Sequence, residues 1–138
     1  MPLVSGGVSG ARYASAVEGI HALGRRLAHF FVDYDIVLTP TLTREAPLIG
    51  SLDVFDDRID LATLIEHFHS YSPFTALFNA SGQPAMSVPL YWTPDGLPIG
   101  SHFAARFAEE STLLALAAQL EQAQPWAGRI PPINAMRR

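Results

Sequence analysis

The chain of 138 residues has no cysteine and no lysine, and only 16% of its residues are charged. Without cysteine there is no disulfide framework and no thiolate chemistry, a usage that fits a cytoplasmic protein. Without lysine, all nine basic residues are arginines, and any mechanism that needs a lysine as base has no candidate here. A free-standing domain usually carries about 25% charged residues. Against that, 49% of this chain is apolar, which implies apolar surface meant for a neighbour. The plain alternative is a helical domain rich in Ala and Leu, which is poorly charged in its own right. The net charge of −4 argues against nucleic acid as a partner, because phosphate contacts need clustered Arg or Lys, and Arg137-Arg138 is only a short basic pair. Long hydrophobic runs are missing too. The longest, Leu113 to Ala118, is far too short to cross a bilayer. The residues after Met1 lack the charged and apolar blocks of a secretory signal. A soluble protein with neither a nucleic-acid nor a membrane partner is expected.

By length the chain is one domain, residues 1–138, able to bury about two thirds of its unfolded surface. From Ala11 to about Val32, Tyr13, Val17, Ile20, Leu23, Leu27, Phe30 and Phe31 recur at helical spacing, with Ser9 placed to cap the helix. Asp35 to Thr39 then changes period to a β-branched block closed by Pro40, which reads as a buried strand. Thr41 to Asp57 carries turn formers and scattered acids and predicts a long loop. A second helix is expected from about Ile59 to His69. A short one follows, started by Ser72-Pro73 and ended near Asn79 and Gly82. Residues 85–88 and 97–103 read as strands joined by the turn Pro94-Asp95-Gly96. The last helix opens at Glu109-Glu110, shows its stripe at Leu113, Leu116, Leu120 and Ala123, and stops at Pro125. The expected class is α/β, with helices packed on a small mixed sheet.

Candidate chemistry is thin. Ser81 lies in Asn-Ala-Ser-Gly without the Gly-x-Ser-x-Gly elbow that exposes a nucleophile, so it reads as a turn residue. His67 and His69 are two apart on a predicted helix and point away from each other, so no metal site is expected. Asp53, Asp56, Asp57 and Asp60 cluster in one loop and read as a solvated surface with a helix cap. His102, in an apolar strand, reads as a hydrogen-bonded core histidine or as part of a pocket wall. Phe74, Phe78 and Trp92 are core aromatics or cleft walls. No residue here qualifies as catalytic; Phe74, Phe78 and His102 are the candidates for a substrate cleft.

Several motifs do carry information. Tyr13 and its helix lead into Tyr34-Asp-Ile-Val-Leu-Thr-Pro-Thr41. There follow Asn79, Gly82, Pro84 and Ala85 with Ser87-Val88-Pro89, then Asp95-Gly96-Leu97-Pro98-Ile99-Gly100, and last the helix Leu113 to Glu121. In this order and spacing they resemble the C-terminal segment of the amidase signature family, enzymes that hydrolyse carboxamides. The resemblance implies a partial amidase signature fold. It also implies acyl transfer by a Ser–cis-Ser–Lys triad, with no metal or organic cofactor. That triad belongs to an upstream Gly/Ser-rich stretch that has no counterpart here. The glutamine-using subunit of the tRNA amidotransferase carries an aspartate at the position that corresponds to Ser72 here, so glutamine transamidation is not expected. The wording Phe78-Asn-Ala-Ser-Gly-Gln-Pro-Ala85, with His102-Phe103-Ala104-Ala105, is more similar to the 6-aminohexanoate oligomer hydrolases.

The sequence therefore predicts the C-terminal portion of an amidase that lacks its catalytic triad and is inert alone. Its parent would take a small carboxamide substrate. The chain itself would form a homo-oligomer or pair with a complementing catalytic portion. A non-catalytic binding module that keeps the amidase scaffold is the rival reading. An unrelated hydrolase using Ser81 or His102 is a distant third.

Overall fold

A computed structural model describes residues 7–51, 59–131 and 133. Helix α1 runs from Gly10 to Asp33, and the Ser9 side chain accepts a 3.2 Å bond from the Arg12 amide, as expected of its cap. Strand β1 is Ile36–Pro40, helix α2 Leu61–Tyr71 and helix α3 Thr75–Ser81. Strands β2 (Ala85–Trp92) and β3 (Pro98–Ala105) form a hairpin, and helix α4 spans Glu110–Ala123. The hairpin turn is closed by Thr93, whose backbone amide donates to the Leu97 carbonyl while its hydroxyl accepts from the Leu97 amide. Gly96 there has φ of 85°, a conformation that only glycine adopts without cost.

The sheet order is β1-β3-β2, and both pairings are antiparallel rather than mixed. The reason is topological. The short turn forces β2 and β3 to be antiparallel, and the chain passes from β1 through α2, α3 and β2 before β3 returns to pair antiparallel with β1. Strand β2 is longer than expected, because pairing with β3 carries it past Pro89 and Leu90 through a register shift between Pro89 and Tyr91.

The alternating pleat divides the sheet residues between two faces. On one, Val88, Phe103 and Ala105 pack with Leu113 of α4, extended by Ile36, Met86, Leu90, Leu116, Leu120 and Trp126. On the other, Ala104 packs with Phe31 of α1 and Phe78 of α3, with Leu27, Val37 and Leu77 around them. α4 thus covers one face, while α1 and α3 cover part of the other.

Strand β1 is where the expectation of burial fails. Among the described residues it pairs only with β3, and Leu38 at its centre is 62% exposed. A β-branched, apolar block carries the pattern of a central strand, but in this chain it stands at an edge. Helix α2 buries none of its residues. It is tied by Thr43, whose amide donates to the Tyr71 carbonyl at 2.9 Å and whose hydroxyl donates to that of Ser70. Residues 41–51 form neither helix nor strand, in line with the expected loop. The acids Asp53, Asp56 and Asp57 lie outside the described residues. Asp60 does cap α2, accepting from the Thr63 amide at 2.8 Å.

Candidate functional site

The face of the sheet that α1 and α3 cover only in part carries a polar stripe. Thr39 and Thr41, two apart, follow β1 and its extension on that side, where the Thr41 amide continues the ladder to the Gly100 carbonyl at 3.0 Å. On β3 the same side shows His102 and Gly100, and on β2 it shows Ala85 and Ser87, with Ser87 opposite His102 in register. Helix α3 closes one flank with Thr75, Phe78 and Asn79, and Gln83 follows the Gly82 cap. Of these residues, all but Thr39, Gly82 and Gly100 line a cleft of about 350 Å³. A second cavity of about 270 Å³ continues past Thr41 and Ser87 to Gly100, Ile99 and Arg44. The two share Thr41 and Ser87.

His102 is 5% exposed, so burial holds its imidazole below its ordinary pKa and favours the neutral ring. Its Nδ1 lies 3.2 Å from the Thr39 hydroxyl, and its ring leans on that of Phe78 with 5.3 Å between centroids. The hydroxyls of Thr41 and Ser87 meet at 2.5 Å. Gly100 permits that meeting, because a Cβ on it would stand 2.5 Å from the Thr41 hydroxyl and 2.6 Å from that of Ser87. No carboxylate or guanidinium lines the His102 end, and Arg44 in the second cavity lies over the Tyr71 ring.

Chemically the stripe is a neutral hydrogen-bonding wall. The hydroxyl of Ser87 is engaged by Thr41, and no carboxylate among the lining residues orients the imidazole, so a nucleophile with an oriented base is not assembled here. Ser81 ends α3 and donates its hydroxyl to the Leu77 carbonyl at 2.9 Å. His67 and His69 are exposed on α2.

Of the three cleft residues named from sequence, Phe78 and His102 stand in one cavity, while Phe74 precedes α3 and does not line it. Trp92 lies at the far end of β2 beneath the Arg129 guanidinium. Sequence reasoning did not pick out the Thr41–Ser87 pair or Gln83. The spacing of Thr39 and Thr41 was the available signal, but the partners of that pair are assigned only by strand register.

Comparison with known proteins places this arrangement. The family model described as Amidase matches residues 3–114. A Mycobacterium leprae protein provisionally named amidase AmiC is 41% identical over 116 residues, which is 84% of this chain and 24% of that protein. The 6-aminohexanoate-cyclic-dimer hydrolase of Paenarthrobacter ureafaciens is 37% identical over 131 residues, 91% of this chain and 26% of the enzyme. A solved structure of 6-aminohexanoate cyclic dimer hydrolase superposes with a TM-score of 0.82 at 35% identity, covering 91% of this chain and 27% of its own. The chain spans about a quarter of the length of the relatives it matches.

Proposed function

Because the chain belongs to the amidase family, we propose that it is the C-terminal portion of a carboxamide hydrolase, one that lacks the catalytic serines and lysine and is inactive alone. The observation that carries this reading is the coverage: the match takes in most of this chain but about a quarter of each relative. The absence of lysine from all 138 residues supports it. So does the engagement of Ser81 and Ser87 in hydrogen bonds with Leu77 and Thr41.

In the assembled enzyme a serine of the upstream part attacks the amide carbonyl, the amine or ammonia leaves with a proton, and water then releases the acid. The present chain supplies a wall of the substrate cleft, with Phe78 and His102 on it. The likeness to hydrolases of 6-aminohexanoate cyclic dimer favours a small carboxamide with an aliphatic body. The setting is cytoplasmic, in keeping with the missing cysteines. Among the described residues no helix is long and apolar enough to cross a membrane. Exposed Leu38 on the open edge of β1, with exposed Tyr13, Ile20 and Val32 on α1, favours a complementing portion or a second copy as neighbour.

The test is release of ammonia or amine from a panel of aliphatic and aromatic carboxamides. The chain is assayed alone and after mixing with the catalytic portion of a related amidase. Silence alone and turnover on mixing is the expected result. Turnover by the chain alone, with contaminating amidase excluded, overturns it.

A second reading rests on the cleft itself, about 350 Å³ in volume and bounded by Phe78, Gln83, Ser87 and His102. On that reading the chain is a non-catalytic binding module that holds a ligand without any partner. Saturable binding by the isolated chain, with no rescue of activity by any catalytic portion, would favour it.

A further inference from the structure

Gln83 is the described residue whose polar chemistry the fold leaves unanswered. Its side chain is 8% exposed, and its Oε1 is enclosed without a hydrogen-bond partner. Buried acceptors in folded proteins are almost always paired, so one that is not points to a donor that arrives from elsewhere. Its position is specific. Gly82, in the left-handed conformation with φ of 80°, turns the chain out of α3 and sets Gln83 at the head of β2. There it contributes to two cavities. One is the cleft with His102, Phe78 and Asn79, and the other, also of about 350 Å³, is bounded by Ala28, Phe31, Val32, Arg106 and Phe107.

We propose that Gln83 is a recognition residue for a neutral carboxamide bound in the cleft beside His102, its side-chain oxygen accepting the N–H of the ligand amide.

The cleft narrows the class of ligand. Its lining at this end has no formal charge, so a carboxylate or an ammonium would be desolvated there without a counter-ion. The burial that favours neutral His102 removes the remaining source of positive charge. Asn79, Ser87, Thr41 and Thr75 offer donors and acceptors together, while Phe78, Met86 and Ala85 offer apolar contact for a short aliphatic body. A carboxamide carries N–H donors and a carbonyl acceptor on either side of one carbon. It therefore matches the Gln83 amide whichever way that group is turned, which an ester, having no donor, does not. The terminal torsion of glutamine is soft, so Oε1 turns toward the cleft at small cost.

This inference deepens the carboxamide reading by naming a contact for the substrate amide, and it needs no catalytic partner for its test. The 138-residue chain is titrated with hexanamide, methyl hexanoate and sodium hexanoate, followed by ligand-observed NMR and calorimetry. Hexanamide is expected to bind saturably and about tenfold or more tightly than the methyl ester, the loss that follows from leaving a buried acceptor unpaired. Hexanoate is expected not to bind. Gln83→Leu should abolish the preference for amide over ester while melting no lower than the parent, because it removes an unpaired buried acceptor. Should that variant fail to fold, Gln83→Met, unbranched like the native side chain, gives the same comparison. Equal binding of amide and ester, no saturable binding of hexanamide, or a variant that keeps the preference would each overturn the proposal. Restored turnover in the mixing experiment together with any of these results would leave the family reading standing and remove the role of Gln83.

Discussion

The hydroxyls of Thr41 and Ser87 meet at 2.5 Å across β3, and they do so because residue 100 between their strands has no side chain. A methyl group at that point would lie 3.0 Å from the Thr41 Cβ as well as close to both oxygens. Three residues far apart in sequence thus act as one unit, and the unit sits where the two cavities of the polar face join.

Gly100→Ala should therefore destabilise the chain by about 1–3 kcal/mol, the usual cost of forcing an extra carbon into filled space. In a Thr41→Ala/Ser87→Ala background the cost should fall to less than half, because the two hydroxyls nearest the added carbon are gone and only the 3.0 Å approach to the Cβ of residue 41 remains. Urea unfolding of the four chains measures the coupling. Equal costs in both backgrounds would show that Gly100 serves the backbone alone.

Arg106 ties the end of α1 to the start of the α4 connection. Its Nε and Nη2 both donate to the Phe31 carbonyl, at 3.1 and 2.6 Å, and Asp35 stands 4.0 Å from Nη2. Carbonyls in the last turn of a helix lack partners within it, and a cation there also suits the helix dipole. Arg106→Gln is expected to cost about 1–2 kcal/mol, read as a lower thermal midpoint. Most of the loss should persist in 0.5 M salt, since the carbonyl bond rather than the long Asp35 contact supplies it.

Protonation of His102 opposes its burial, so its folded-state pKa lies below the ordinary value of 6.5. The unfolded chain then binds the proton first as pH falls. The stability tied to the neutral ring is complete above about pH 6.5. It declines as pH drops below that value and levels off once the folded-state pKa is passed. Urea midpoints at pH 7.5 and 5.5 should differ in that direction, and by less in His102→Gln. An unchanged difference in the variant would assign the slope to other groups.

Among the described residues Ala108 is the non-glycine residue with positive φ, at 63°, immediately before the Glu109 that opens α4. A side chain in that region costs about 1 kcal/mol relative to glycine. Ala108→Gly should raise stability by up to about that amount, reduced by the greater freedom glycine has when unfolded. A lowered midpoint would show that the Cβ makes contacts worth more than the strain.

The elements were legible where local chemistry decides them. Ser9 and Asp60 cap their helices, Gly82 and Gly96 turn the chain, and α4 starts at its acids and ends before Pro125, all for reasons within a few residues. The family likeness was legible too, because its motifs depend on such local signals kept in order. Burial was less so. The pattern of β1 is that of a buried strand, yet Leu38 is exposed, since exposure depends on what lies alongside and not on the strand's own residues. The same holds for the site: Phe78 and His102 were named for their types, but Phe74 was named with them and does not line the cleft.

Sequence by itself determined which segments form helices and strands, the α/β class and the family, because capping, turn formation and hydrophobic period act over short stretches of chain; how far β2 runs was set by its pairing with β3. Tertiary structure alone decided that Thr41, Ser87 and Gly100 form one unit, that His102 pairs with Thr39, and that the Gln83 oxygen is enclosed without a donor. Those relations depend on strand register and on the order β1-β3-β2, in which distant segments become neighbours and each pleat assigns a side chain to one face or the other.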